Sequence, residues 1–150
     1  MIHVLFVCTG NTCRSPMAEA LLQAKGKENI EVLSAGVAAQ PGMLASKETI
    51  EILKERDISF RHAARPLTKE RVEWADIILT MTKNHHEMAV QHFPEAADKI
   101  FTMREFAADT ENEKGDIKDP IGGTMETYRS TAKELEQLIE AVLEKLEKEW

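Results

Sequence analysis

A short segment near the amino terminus combines the residue types that bind an oxyanion with one that attacks it. The segment runs Cys8-Thr-Gly-Asn-Thr-Cys-Arg14-Ser-Pro16. Backbone N–H groups of a loop can converge on a phosphate without a loss of side-chain entropy, and Gly10 and Asn11 tolerate the positive φ angles that this requires. A thiolate beneath such a ring of donors is a nucleophile. The pattern therefore predicts phosphoryl transfer to a cysteine.

Three side chains of this segment are predicted to do chemistry. Arg14 offers a planar fork that holds two phosphate oxygens at once, which a lysine cannot do. Cys8 is the expected nucleophile, with a thiol pKa lowered by the helix terminus, the amides and Arg14. Ser15 is expected to donate to the sulfur and to stabilise it as a leaving group. A cysteine among apolar residues is by itself more often a small buried hydrophobe, so the prediction depends on what surrounds the segment.

The segment lies between a predicted strand and a predicted helix. The continuous apolar run Val4–Val7 indicates a strand buried on both faces of a parallel sheet. Ser15 is predicted to be a helix N-cap, and Pro16 suits the first helical turn. The junction of a strand's carboxyl end with a helix's amino end is where doubly wound sheets bind anions. Neither G-x-x-x-x-G-K-[ST] nor G-x-G-x-x-G follows the strand, which excludes the competing phosphate loops.

Residues 7–19 closely resemble the signature of the low-molecular-weight protein tyrosine phosphatase family, and Asp119-Pro120 resembles that family's general-acid loop. The similarity spans essentially all 150 residues and includes Ser34 and His62. By itself an Asp before a Pro more often only starts a turn. The resemblance implies that Asp119 protonates the leaving group and then activates the water that hydrolyses a Cys8 thiophosphate.

The resemblance also assigns the remaining site residues. His62 corresponds to a family histidine that hydrogen-bonds to Asn11, and it is expected to support the loop rather than act as a base. The residues expected to bind substrate or set specificity are Thr9, Gly10, Asn11, Thr12, Cys13 and Ile121, and those expected to support the site are Ser15, Ser34 and His62. No metal or other cofactor is expected, since the amides and Arg14 supply positive charge. The sequence contains no H-E-x-x-H motif, EF-hand or cysteine-rich metal spacing.

Two departures from the tyrosine-directed pattern concern the substrate. Thr12 stands where that family usually has a bulky aliphatic residue, and Ile121-Gly122 replaces an aromatic pair. Phosphotyrosine needs an aromatic slot, whereas Thr12 could direct a hydrogen bond at a planar phosphoguanidine and Asp119 would attract its positive charge. This pattern resembles the bacterial protein-arginine phosphatase branch, which implies arginine-phosphorylated protein substrates and opposition to a protein-arginine kinase. The alternative is that Thr12 serves packing alone in an undiscriminating phosphatase. Ile121 also has no π surface to cover a guanidinium.

Three alternative functions stay open at this point. The first is a low-molecular-weight protein tyrosine phosphatase. The second is a thiol-coupled arsenate reductase, which shares the loop but requires later cysteines, and none follows Cys13. The third is a non-catalytic phospho-binding module, which retention of Cys8, Arg14 and Asp119 together disfavours. Cys13 itself either fills space beneath the loop or captures an oxidised Cys8 as a reversible disulfide, as its family counterpart can.

Composition limits the setting in which the protein works. A chain of 150 residues can bury one good core, so residues 1–150 are expected to form a single phosphatase domain. The net charge of −7 disfavours nucleic acid and anionic membranes as partners. We expect no signal peptide, and the sequence contains no apolar run long enough to span a membrane. Two cysteines exclude a disulfide framework. We expect a monomer in a reducing cytoplasm.

Alternating strand and helix patterns predict an α/β fold: a three-layer, doubly wound, four-stranded parallel sheet with helices on both faces. The predicted strands are 4–7, 31–35, 76–81 and 99–102, and the predicted helices are 16–25, 46–56, a short one capped by Thr68, 83–93 and 124 to the end. Residues 108–118 are predicted to be a loop that delivers Asp119. The apolar stripe of the last helix is expected to pack on the sheet, with a coiled-coil dimer as the alternative. The three histidines His85, His86 and His92 are predicted to lie on the surface.

Overall fold

The protein is built around a four-stranded sheet in which every strand pair is parallel. In the computed structural model, which describes residues 1–108 and 116–149, the strand order is β2-β1-β3-β4. The strands are β1 (Ile2–Cys8), β2 (Ile30–Gly36), β3 (Ile77–Thr80) and β4 (Ile100–Thr102). The order reverses between β1 and β3, and a ligand site is expected at the carboxyl ends of the strands beside such a reversal.

Six α-helices within the described residues connect and follow the strands. They are α1 (Arg14–Gln23), α2 (Lys47–Glu55), α3 (Lys69–Trp74), α4 (Lys83–His92), α5 (Met103–Ala108) and α6 (Met125–Glu149). A 3-10 helix, Pro94–Lys99, precedes β4. Ser46 and Thr68 cap α2 and α3 by accepting hydrogen bonds from Thr49 N–H and Arg71 N–H. No helix in the described ranges is long and apolar enough to cross a membrane.

Two apolar clusters cover the two faces of the sheet. Val4 and Phe6 of β1 belong to the larger cluster together with residues of α1, α2 and α6. Leu5 and Val7 point to the opposite face and pack with Val72 of α3. A strand whose successive residues are buried on both sides reads as a continuous apolar run, which explains the sequence of β1. The predicted three-layer, doubly wound architecture is therefore confirmed.

The last helix packs inside the protein along its apolar stripe. Its buried residues are Tyr128, Thr131, Ala132, Leu135, Ile139, Val142, Leu143 and Leu146. All of these except Thr131 belong to the same apolar cluster as the inner residues of α1. The apolar stripe of α6 thus packs within the fold and does not form a coiled coil.

The first helix differs from its prediction at the amino end. It begins at Arg14 rather than Pro16, and its N-cap is Cys13, which forms no side-chain capping bond. The prediction of Ser15 as the N-cap is wrong, because its hydroxyl lies in the loop and bonds to Cys8 and Asn11 instead. The 3-10 helix and α5 were not predicted. Of the predicted loop 108–118, residues 109–115 lie outside the described residues.

Candidate active site

The segment after β1 is held by the side chain of Asn11, which is fully buried. Its Nδ2 donates to Ser15 Oγ and to Ser34 Oγ, each at 2.8 Å. Its Oδ1 accepts a hydrogen bond from Arg65 N–H at 2.9 Å. Of the two residues expected to tolerate a positive φ, Asn11 adopts one, at 56°, and Gly10 does not. Three hydrogen bonds, to Ser15, Ser34 and Arg65, thus fix the Asn11 side chain and thereby the turn of the loop.

The loop rests on the carboxyl end of β2. Val37 N–H donates to Cys8 O at 3.0 Å, and Ala38 N–H donates to Thr9 O at 2.9 Å. A Cβ atom added at Gly36 would lie 2.4 Å from Thr9 O and 2.9 Å from Asn11 N. No side chain fits between the loop backbone and the strand end, so only glycine is compatible with this approach.

Cys8 lies at the end of β1 with its thiol buried beneath the loop. Its Sγ is 2.8 Å from Ser15 Oγ. Because Ser15 Oγ accepts from Asn11 Nδ2, the serine hydrogen is available to the sulfur. Burial raises the pKa of the Cys8 thiol, and the Ser15 hydroxyl, the N–H groups of Ser15 and Asn11 and the charge of Arg14 oppose that rise. The predicted net lowering of this pKa is wrong in this structure, because loss of solvation outweighs the four stabilising interactions.

Arg14 joins the loop to the segment that carries Asp119. The guanidinium is 5% exposed, and its Nη1 donates to Ile117 O at 2.8 Å. Its Nη2 lies 3.5 Å from Asp119 Oδ2. Asp119 is exposed, and its Oδ1 accepts from Ile121 N–H at 3.0 Å. The residue predicted to bind the phosphoryl oxygens and the residue predicted to protonate the leaving group thus lie side by side.

The segment bearing Asp119 is anchored to the junction of β3 and α4. Ile117 N–H donates to Met81 O, and Lys83 N–H donates to Asp116 Oδ1, both at 2.9 Å. These backbone contacts bring residues 116–119 to the carboxyl edge of the sheet, next to the loop after β1. This anchoring could not be predicted from the sequence, because it depends on residues more than thirty positions apart.

A buried polar network supports the loop from below. Glu19 of α1 accepts from Ser34 Oγ at 2.6 Å and from Arg65 Nη1 at 3.3 Å. His62 Nε2 donates to Asn11 O at 2.7 Å, and burial lowers the pKa of this histidine. Sequence reasoning named Ser34 and His62 as supports but assigned nothing to Glu19 or Arg65. A carboxylate within the otherwise apolar first turns of α1 was the available signal.

The specificity candidates lie at the rim of the site. Thr12 is half-buried, and its Oγ1 lies 3.8 Å from Cys13 Sγ. Cys13 is buried, and its Sγ lies 3.6 Å from Ser46 Oγ and 3.8 Å from Tyr128 Oη. Both cysteines are free thiols. Ile121, in contrast, is 64% exposed and presents an aliphatic surface beside Asp119.

His85 is buried and lies against the loop, which makes its predicted surface position wrong. It is 3% exposed, and its Nε2 is 2.7 Å from Thr9 Oγ1. Burial, followed by the charge of Arg14, lowers the pKa of His85 to about 4, with Asp116 and Asp119 opposing. The first turn of α4 faces the carboxyl edge of the sheet, which the local sequence does not disclose.

The other two histidines of this helix differ from His85. His92 is exposed, as predicted, whereas His86 is half-buried and its Nε2 donates to Ile100 O at 3.0 Å. In residues 1–108 and 116–149, no three side chains of His, Cys, Asp or Glu lie close enough together to hold a metal ion.

The model of the low molecular weight phosphotyrosine protein phosphatase family matches residues 3–150. The chain belongs to this family. A protein-arginine-phosphatase of Geobacillus stearothermophilus is 50% identical over 147 residues, which cover 98% of this chain and 97% of that protein. The structure of the YwlE arginine phosphatase from the same organism superposes with a TM-score of 0.95 at 49% identity, covering 99% of this chain and 95% of that one.

A further solved structure bears on the chemistry of the family. It is a mutant YwlE arginine phosphatase with a phosphorylated active-site serine. It is 40% identical to this chain, superposes with a TM-score of 0.93, and covers 99% of this chain and 97% of its own. In that relative, therefore, a side chain of the active site carries a phosphoryl group.

Proposed function

We propose that this protein is a protein-arginine phosphatase, which moves the phosphoryl group of a phosphoarginine side chain first to Cys8 and then to water. The observation that carries the proposal is the junction of Cys8, Arg14 and Asp119 at one edge of the sheet, with Asp119 Oδ2 3.5 Å from Arg14 Nη2. The names of the relatives that match nearly the whole chain support the arginine-directed activity.

In the first step the Cys8 thiol, whose pKa is raised by burial, gives up its proton to solvent. The resulting thiolate attacks phosphorus, and the P–N bond to the guanidino nitrogen breaks. Asp119 gives its proton to the departing guanidino nitrogen. The arginine side chain therefore leaves with that nitrogen protonated and not as an anion. Arg14 and the loop N–H groups hold the phosphoryl oxygens in line between sulfur and nitrogen. The products of this step are a free arginine side chain and a Cys8 thiophosphate.

In the second step water attacks the thiophosphate, and the Asp119 carboxylate accepts the water's proton. The S–P bond breaks, inorganic phosphate leaves, and the sulfur returns as a thiolate. The Ser15 hydroxyl, 2.8 Å from Sγ, donates to this thiolate and makes it a better leaving group. Cys8 and Asp119 thus act in both half-reactions. Cys8 is first the nucleophile and then the leaving group, and Asp119 is first an acid and then a base.

The rim of the site supports arginine as the phosphorylated residue. Ile121 offers an aliphatic surface instead of an aromatic wall, so a phenol ring finds no stacking partner at that position. Thr12 offers a hydroxyl, which can hydrogen-bond with the N–H-rich phosphoguanidine. In its ionised form the exposed carboxylate of Asp119 attracts the guanidino part of the substrate, while Arg14 and the loop N–H groups bind the phosphoryl part.

The test compares turnover of matched phosphoarginine and phosphotyrosine peptides by the wild-type protein and by Thr12→Ile. We expect the wild-type protein to prefer phosphoarginine, and the substitution to lower the ratio of the two kcat/KM values by about tenfold, which corresponds to one lost hydrogen bond of about 1.4 kcal/mol. Thr12→Ser keeps the hydroxyl and is the matched control. A wild-type preference for phosphotyrosine would instead favour the tyrosine phosphatase function, and no turnover of any phosphate ester or amide would favour a phospho-binding module.

The proposal extends to the setting of the enzyme. Its partners are arginine-phosphorylated proteins, it reverses the action of a protein-arginine kinase, and it works in the cytoplasm as a monomer without a metal or cofactor. Residues 1–150 act as one phosphatase domain. Light scattering of the purified protein tests the monomer, and activity after exhaustive treatment with a chelator tests the independence from metal.

A further inference from the structure

His85 makes a contact with the loop that neither the proposed mechanism nor the supporting network uses. Its Nε2 lies 2.7 Å from Thr9 Oγ1, and its Nδ1 is buried with no hydrogen-bond partner among the described residues. Thr9 is the residue that follows Cys8 directly and is exposed at the mouth of the site. Among the described residues, the ring of the buried His85 thus has one hydrogen-bond partner, the exposed hydroxyl of Thr9, and this pairing suggests a role at the site.

The missing partner of Nδ1 decides which ring nitrogen carries the hydrogen. A buried N–H without an acceptor is strongly unfavourable, whereas a ring nitrogen lone pair without a donor is tolerated better. The hydrogen therefore resides on Nε2, and His85 donates to Thr9 Oγ1. The threonine hydroxyl is the acceptor in this bond, so its own hydrogen remains available to a different acceptor.

The backbone fixes His85 independently of Thr9. His85 N–H donates to Thr82 Oγ1 at 3.1 Å in the N-cap of α4. The neighbouring Lys83 N–H holds Asp116, and so the same helix turn anchors the segment that carries Asp119. The backbone of His85 is thus held by the N-cap of α4, and its imidazole donates to the hydroxyl of the exposed Thr9.

We propose that His85 is a positioning residue, which holds the Thr9 side chain so that its hydroxyl hydrogen is presented to the phosphoryl group above Cys8. This inference rests on the proposed function, since it places the anion in the same loop. Thr9 then adds one side-chain donor to the backbone N–H groups. His85 acts through Thr9 and does not touch the substrate.

The experiment is a double-mutant cycle that reads anion binding rather than turnover. Inorganic phosphate is titrated into the wild-type protein, Thr9→Val, His85→Leu and the double variant by calorimetry. We expect Thr9→Val to weaken phosphate binding about tenfold or more, because a hydrogen bond to an anion is lost. We expect His85→Leu to weaken it about three- to tenfold, because the hydroxyl is then free to rotate. In the Thr9→Val background, His85→Leu should change the affinity by less than about twofold.

Two further variants separate positioning from a general structural effect. Thr9→Ser keeps the hydroxyl and should retain the sensitivity to His85→Leu that Thr9→Val loses. His92→Leu changes an exposed histidine of the same helix and should leave phosphate binding as it is. Thr9 is exposed, so Thr9→Val decides the question even where His85→Leu does not fold.

Wild-type phosphate affinity in Thr9→Val overturns the inference, and so does an equal loss from His85→Leu with and without the Thr9 hydroxyl. Its failure is distinct from failure of the proposed function. If phosphoarginine is not hydrolysed but the cycle shows coupling, the inference stands and the substrate assignment falls. If phosphate binds the wild-type protein and the cycle shows no coupling, the inference falls alone.

Discussion

The buried His85 predicts a specific loss of stability in mild acid. In the folded protein its pKa lies at about 4, because burial and the nearby charge of Arg14 disfavour the protonated ring, while the ordinary value is 6.5. In the unfolded chain His85 therefore binds a proton as the pH falls below 6.5, whereas in the folded protein it does so only near pH 4. As the pH falls through this window, protonation stabilises the unfolded state and the free energy of unfolding decreases.

The size of the effect follows from the two values. The full difference of 6.5 minus about 4 corresponds to about 3 kcal/mol at low pH. Between pH 7 and pH 5 the contribution is about 2 kcal/mol, because the unfolded histidine is then largely protonated and the folded one is not. His85→Leu removes the titrating group and with it this part of the pH dependence.

Urea unfolding at pH 7 and pH 5 measures the difference. The wild-type protein should lose about 2 kcal/mol more than His85→Leu between the two pH values. Other titrating groups, including the buried His62, are common to both proteins and cancel in this comparison. His92→Leu is the matched control and should follow the wild-type protein. An equal loss in the wild-type protein and in His85→Leu would refute the argument that His85 is buried in its neutral form.

Four further predictions concern the three proposed catalytic residues and Cys13. Cys8→Ser should abolish turnover, and Arg14→Ala should lower kcat at least about a hundredfold in a phosphate-release assay, because the nucleophile and the main charge on the phosphoryl oxygens are lost. Asp119→Asn should lower kcat by about 10² to 10⁴ for substrates with poor leaving groups and much less for aryl phosphates with good ones; an equal loss on both kinds would contradict the acid role. In Cys13→Ser, inactivation by peroxide should no longer be reversed by added thiol, and full recovery of this variant would mean that Cys13 only fills space.

The sequence was informative where chemistry and local structure coincide. The Cys8–Arg14 spacing after an apolar run located the loop, because the run could only be a strand buried on both faces. The same reasoning failed for the thiol of Cys8, since counting its donors says nothing about how far the sulfur is removed from water. Burial raises its pKa despite those donors.

The parts that escaped prediction depend on contacts between distant segments. His85 bonds to Thr9 across 76 positions, and Arg65 bonds to Glu19 across 46. Such pairs follow from the register of the sheet, in which Phe6 lies beside Ser34, and from the direction in which α4 leaves β3. Periodicity along one helix gives its buried face but does not say which neighbouring segment that face meets.

The contact between Gly36 and the loop has a consequence for how the site meets its substrate. The backbone of Thr9 lies so close to Gly36 that the loop after β1 packs directly against the end of β2. This contact couples the position of the loop to that of the strand. The conformational entropy of the loop N–H donors is therefore lost when the protein folds, before an anion binds. The preorganised loop does not have to close around the anion. The binding free energy is therefore not spent on ordering the loop and can lower the barrier to bond breaking.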